Sequence, residues 1–136
     1  MEQNDSKAQT TAGNEKTASC RKEESRRTGF AYEKKAAEYL AQKGYRILKQ
    51  NFYTKFGEID VIARDGRYLV FVEVKYRSSQ RGGHPLETVD GKKQNRIKKA
   101  ALFYLLRYGL PENTPCRFDV VGILGDQVMH IENAFM

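Results

Sequence analysis

Gly57-Glu58-Ile59-Asp60-Val61-Ile62-Ala63-Arg64-Asp65-Gly66-Arg67-Tyr68-Leu69-Val70-Phe71-Val72-Glu73-Val74-Lys75-Tyr76 is the stretch on which the fold turns. Two β-rich runs, 57–64 and 67–76, flank Asp65-Gly66, and Asp-Gly between such runs is a strong hairpin signal. In the second run period 2 puts Leu69, Phe71, Glu73 and Lys75 on one face and Tyr68, Val70, Val72 and Val74 on the other. A two-residue turn at 65 and 66 sets Arg64 opposite Arg67, Asp60 opposite Phe71 and Glu58 opposite Glu73. Glu58, Asp60, Glu73 and Lys75 then project to the same side of the sheet, with Asp60 and Glu73 diagonal neighbours roughly 7–8 Å apart at the backbone.

Upstream of the hairpin, Tyr45–Tyr53 reads as an extended segment. Before it, Thr28 to Lys43 suits a helix with Ala36, Ala37, Leu40 and Ala41 on one stripe, Thr28 as N-cap and Gly44 as the stop. Glu33 falls on the core side of that helix, where an unpaired carboxylate is costly. Downstream, a second helix is expected from Asp90 to Tyr108 with Ile97, Ala100, Ala101, Tyr104 and Leu105 inward, ended by Gly109 and Pro111. Phe118–Leu124, apolar on both faces, reads as a buried strand. Val128–Ile131 follows as its hairpin partner. The order helix, three strands, helix, two strands specifies a mixed α/β or α+β domain.

At 136 residues the chain suits one compact domain. Residues 1–28 hold few apolar side chains and read as a disordered tail, leaving 29–136 as the folded domain. Lys and Arg number 24 against 17 Asp and Glu, a net +7 that favours a polyanionic partner. No run approaches the length of a membrane span and no secretory signal opens the chain, so a cytoplasmic protein without a membrane partner is expected. Cys20 and Cys116 lack the spacing of a zinc knuckle or redox pair.

Three carboxylates crowded beside one ammonium repel one another unless a cation or a proton compensates. A divalent ion is the economical answer, and oxygen donors without cysteine or histidine suit Mg²⁺ or Mn²⁺. In such a site Asp60, Glu73 and the Val74 carbonyl would hold the ion, with Lys75 near enough to orient a water aimed at phosphorus. The plainer reading is a solvated sheet face with Glu73 and Lys75 as a weak ion pair. Leu69, Phe71 and Ile62 on the same face argue against it.

Gly57-Glu58-Ile59-Asp60, the thirteen-residue interval to Glu73, and Phe71-Val72-Glu73-Val74-Lys75 resemble the acid, spacer and Glu-x-Lys pattern of PD-(D/E)XK nucleases. With Glu33 in an N-terminal helix and Arg117-Phe118-Asp119-Val120 near the end, residues 29–136 resemble the YraN-like family of bacterial proteins. The resemblance implies a restriction-endonuclease-like three-layer fold, a central mixed five-stranded sheet flanked by helices, and kinship to archaeal Holliday-junction resolvases. It implies catalytic roles for Glu33, Asp60, Glu73 and Lys75, with Glu33 joining Asp60, Glu73 and Val74 at the metal. Glu58, on the same face, is expected to tune the site or to contribute a second-metal ligand. The proline of the superfamily name is replaced by Ile59.

Between Lys75 and Lys99 eight basic residues face only Glu87 and Asp90, so this window carries the domain's positive surplus. Lys92, Lys93 and Arg96 open the second helix, where the macrodipole disfavours cations unless a phosphate is bound. With Arg77 they form the candidate nucleic-acid-binding set, DNA before RNA, and Gly82-Gly83 suggests a flexible segment able to wrap a backbone. His84 reads as a surface residue, His130 as a strand residue satisfied locally, and Asp119 as a structural residue bonded to Arg117 or to backbone. The expected function is a Mg²⁺- or Mn²⁺-dependent endonuclease acting on branched or structured DNA, for which junction cutting would call for a two-fold homodimer. The alternative is a nucleic-acid-binding module that keeps the fold without catalysis.

Overall fold

The structure, a computed structural model, describes residues 18–77 and 89–135, with side chains from residue 29 onward. Gly82, Gly83 and His84 therefore lie outside the described residues, as do 1–17 of the expected tail. The described elements are α1 (Ala18–Gln42), β1 (Arg46–Thr54), β2 (Gly57–Asp65), β3 (Tyr68–Arg77), α2 (Gly91–Arg107), β4 (Cys116–Leu124) and β5 (Gln127–Phe135). The described residues fall into two units divided between Ala31 and Tyr32, and the second holds the whole sheet.

The helix α1 begins at Ala18 rather than Thr28, so residues 18–28, assigned above to the tail, are helical. Composition misleads there because Arg21, Lys22, Glu23, Glu24, Arg26 and Arg27 have high helix propensity, which needs no buried face to act. The sheet order is β1-β2-β3-β4-β5, with β3 and β4 parallel and every other pair antiparallel. A parallel pair needs a crossover, and α2 lies within it.

Both faces of the sheet are covered, giving the mixed three-layer α/β fold expected. On one face Ile59, Ile62, Leu69, Phe71 and Val120 pack with Ile97, Ala100, Ala101, Tyr104 and Leu105, the predicted inward stripe of α2. On the other, Val61, Val70, Val72, Val121 and Ile123 pack with Ala36, Ala37 and Leu40 of α1. The Asp90 side chain caps α2 by accepting the Lys93 N–H at 2.9 Å.

The β2–β3 hairpin departs from the expected register. Asp65 pairs with Tyr68 and Val61 with Val72, so the loop is Gly66-Arg67, with Gly66 at φ +58. Asp65 stays in the strand because its carboxylate accepts Arg117 Nη1 from β4 at 2.9 Å. The slip is two residues, which keeps Val61–Asp65 and Leu69–Val72 on their predicted faces; Ile59 departs, packing with Ile62 and Phe71 because the alternation breaks at Asp60. The slip also corrects the pairing near the acids: Phe71 lies across from Ile62 and not from Asp60, and the ladder ends at Val61–Val72.

Arg117 belongs to a buried polar network. Its Nε and Nη2 donate to the two oxygens of Asp119 at 3.0 Å each, its Nη2 also donates to Tyr45 Oη, and the Asn133 N–H donates to Asp119 Oδ1 at 3.0 Å. Burial pushes the Asp119 carboxyl up, but the bonds from His130, Arg117 and Asn133 outweigh it and hold the group below the ordinary carboxylate range. Its stabilising contribution is present above the ordinary carboxylate pKa and fades as pH falls through the depressed one. Asp119→Ala should cost about 3 kcal/mol of unfolding free energy at neutral pH, read by urea denaturation. A loss under about 1 kcal/mol would contradict the assignment.

Candidate metal centre and nucleic-acid interface

Asp60 stands where the β2–β3 ladder ends. One residue beyond the Val61–Val72 pair, the Asp60 carboxylate takes over from the β2 backbone, its Oδ2 accepting the Val74 N–H at 2.8 Å. Across β1 the neighbouring pairs are Gln50–Val61 and Phe52–Ile59, which leaves Asn51 abreast of Asp60 at φ +59. Asn is among the few residues other than glycine that take this conformation readily. The chain thus turns sharply on the β1 side as the ladder closes on the β3 side, and the Asp60 carboxylate is left in the gap.

A cavity of about 400 Å³ opens over this gap, lined by Glu33, Gly57, Glu58, Asp60, Glu73, Val74, Lys93, Arg96 and Ile97. It gathers residues from α1, β2, β3 and α2. Gly57, at φ +154, starts β2 directly beneath α2, where an added Cβ would meet the Arg96 Cβ at 3.4 Å. Carboxylate oxygens of Glu33, Glu58 and Asp60 lie within 4.8 Å of one another. Asp60 and Glu73 are 9% and 7% exposed, too little for water to screen their charges.

The electrostatics follow from that crowding. Burial, then the charge of Glu73, and with smaller effect those of Glu33 and Glu58, push the Asp60 carboxyl up to about 9 against the opposing Val74 N–H. Glu33 is raised by burial and by Glu58, partly offset by hydrogen bonding to Asp60 and Asn51. Glu58 is raised by burial and by Glu73, and lowered by Lys93. One oxygen of Glu33, Oε1, is buried without a hydrogen-bond partner. An unpartnered buried acceptor beside two carboxylates is a polar group whose desolvation is uncompensated.

Of the residues singled out in the sequence, Glu33, Glu58, Asp60, Glu73, Val74, Lys93 and Arg96 line this one cavity. Lys75 lies half-buried on β3, two residues beyond Glu73. The amine at ion-pair distance from Glu73 is that of Lys93, its Nζ 2.8 Å from Oε2, with the lysine raised above its ordinary value by this bond although burial opposes it. Lys93, assigned above to phosphate, therefore neutralises Glu73 in this state. Lys92 is exposed at the start of α2, and Arg77 ends β3 with its Nη1 donating to the Tyr76 carbonyl at 2.8 Å. Sequence reasoning missed Asn51 and the closeness of Gly57 to α2. The only signal for Asn51 was its tolerance of left-handed backbone.

Residues 32–123 match the sequence model of the uncharacterised protein family UPF0102. The chain belongs to that family. It is 50% identical over 107 residues to a UPF0102 protein of Lachnoclostridium phytofermentans, covering 79% of this chain and 91% of that one. A relative in Symbiobacterium thermophilum is 52% identical over 99 residues, 73% of this chain and 83% of its own. One in Chlorobium limicola is 55% identical over 92 residues, 67% and 70% respectively. UPF0102 is the YraN-like family that the sequence resembles. In this UPF0102 chain the matched span holds every carboxylate of the cavity together with Lys93 and Arg96.

Because folding raises the Asp60 carboxyl from 3.8 to about 9, the folded chain binds that proton more tightly than the unfolded one. The associated stability is full below the lower value and drains away as pH rises toward the upper one. Asp60→Asn should therefore raise the melting temperature of the metal-free chain at neutral and mildly alkaline pH, measured by calorimetry in chelator. A lower melting temperature across that range would contradict the burial and crowding described.

Proposed function

We propose that this UPF0102 protein is a divalent-metal-dependent nuclease that hydrolyses phosphodiester bonds of DNA. The observation that carries the reading is the group of three carboxylates, Glu33, Glu58 and Asp60, packed within 4.8 Å with a buried oxygen left unpartnered. The donors are all hard oxygens, which fits Mg²⁺ or Mn²⁺. The resemblance to PD-(D/E)XK nucleases supplies the chemistry expected of such a cluster.

Glu33 and Asp60 would hold the ion with Glu58 beside them, and Glu73 and the Val74 carbonyl complete the set that the resemblance implies. When bound, the ion supplies Lewis acidity at phosphorus and makes a water more acidic. The other steps belong to the chain. Asp60 enters the charged state once its neighbours are compensated, so its proton leaves before it can act as a ligand. Lys75 orients the attacking water and shares in removing its proton. The water oxygen bonds to phosphorus as the P–O bond on the far side breaks, and the leaving oxygen departs with that electron pair and takes a proton from solvent. Lys93 and Arg96 at the cavity wall, with Lys92 at the start of α2, draw the phosphate backbone over the acids.

Purified full-length chain should cleave duplex, single-stranded or four-way-junction DNA with Mn²⁺ and not with chelator. Asp60→Asn and Lys75→Ala should each lower the rate by roughly a hundredfold or more while DNA binding persists. Binding without cleavage on every substrate would support the non-catalytic module instead. In a separate titration, Lys92→Ala combined with Arg96→Ala should flatten the dependence of log affinity on log salt by roughly two for duplex DNA. An unchanged slope would reject the phosphate assignment.

A further inference from the structure

Lys43, His130 and Asp119 form a second chain of ionisable groups, none of which lines the carboxylate cavity. Lys43 Nζ lies 2.8 Å from His130 Nδ1, and His130 Nε2 lies 2.7 Å from Asp119 Oδ2. The two inner members are out of water, with side chains 1% and 0% exposed, while Lys43 is exposed where α1 turns into β1.

The hydrogen bonds assign the protons. Asp119 receives two bonds from Arg117 and one from the Asn133 N–H, so it is a charged acceptor, and His130 Nε2 must donate to it. The lone pair of Nδ1 is then left facing the Lys43 amine. Tyr39 and Tyr45 stand edge-on to the imidazole at 6.3 and 5.6 Å and fix its plane. Those rings also flank the amine, 5.4 and 5.9 Å from Nζ. An exposed amine, a buried base within hydrogen-bond reach and a buried carboxylate orienting that base make up the nucleophile, base and orienter arrangement that activates a weak nucleophile.

We propose that Lys43 is a preferred acylation site, an amine that His130 and Asp119 activate toward acyl thioesters. Activation operates as the acyl donor is attacked. The ammonium passes one proton to His130 Nδ1, and Asp119 stabilises the imidazolium through Nε2–H. The free amine adds to the thioester carbonyl, forming the N–C bond. Collapse of the adduct breaks the C–S bond, and the thiolate leaves with that electron pair and takes the second proton of the nitrogen. His130 then releases its proton to solvent, leaving an amide on Lys43 and a free thiol.

The test treats the full-length chain with a limiting acetyl thioester of a small water-soluble thiol and reads acetylation at each lysine by peptide mass spectrometry. Lys43 should react roughly tenfold or more faster than exposed Lys34, Lys49 and Lys55. His130→Gln should bring Lys43 down to their rate while leaving theirs unchanged, which also reports an intact fold. If that variant does not fold, the ratio within the native chain still decides. A native Lys43 rate no greater than the reference lysines, or a fast rate that survives His130→Gln, would overturn the proposal.

Discussion

The bond from the Val74 N–H to the Asp60 carboxylate replaces a rung of the sheet with a side chain. Because the acceptor is a carboxyl group and not a carbonyl, the gap between β2 and β3 acquires an ionisable group where residues of both helices also reach it. Glu33 comes to it from α1, Glu73 from β3 and Lys93 from α2. Everything distinctive about the cavity follows from keeping that carboxylate buried. Glu33 and Glu58 are raised with it, its own proton is held to about pH 9, and one oxygen of Glu33 has no partner.

The same sheet offers an internal comparison. Asp119 is more deeply buried than Asp60, at 0% against 9% exposed, yet its carboxyl is held below the ordinary range. The difference is compensation: Asp119 has Arg117, His130 and a backbone N–H, whereas Asp60 has one N–H and three like-charged neighbours. Burial alone does not distinguish a structural carboxylate from one awaiting a ligand; the charge balance around it does. On the proposed reading, Asp60 falls on the second side of that division.

Much of this was legible in the sequence, and what was not has physical reasons. The inward stripe of α2 was readable residue by residue because a helix repeats every 3.6 positions whatever it packs against. The faces of β3, and of β2 from Val61 onward, were readable because period 2 survives a two-residue slip; Ile59 was not, since the alternation breaks at Asp60. The register itself was hidden, since Asp65 is kept in the strand by Arg117, a residue 52 positions away. The pairing of Lys93 with Glu73 was equally out of reach, because it depends on how closely α2 approaches β3. The start of α1 was misjudged because weak apolarity was taken to mean weak helicity, and charged straight-chain residues break that equation.

The central claim is that the cavity carboxylates form a site short of one divalent cation. Calorimetric titration of the chain with Mn²⁺ near neutral pH, repeated in two buffers of different ionisation enthalpy, tests it without requiring any turnover. The account predicts saturable binding accompanied by release of about one proton, the one Asp60 gives up as it becomes a ligand, with both lost in Asp60→Asn. Binding absent in the wild type, or unaltered in that variant, would contradict it.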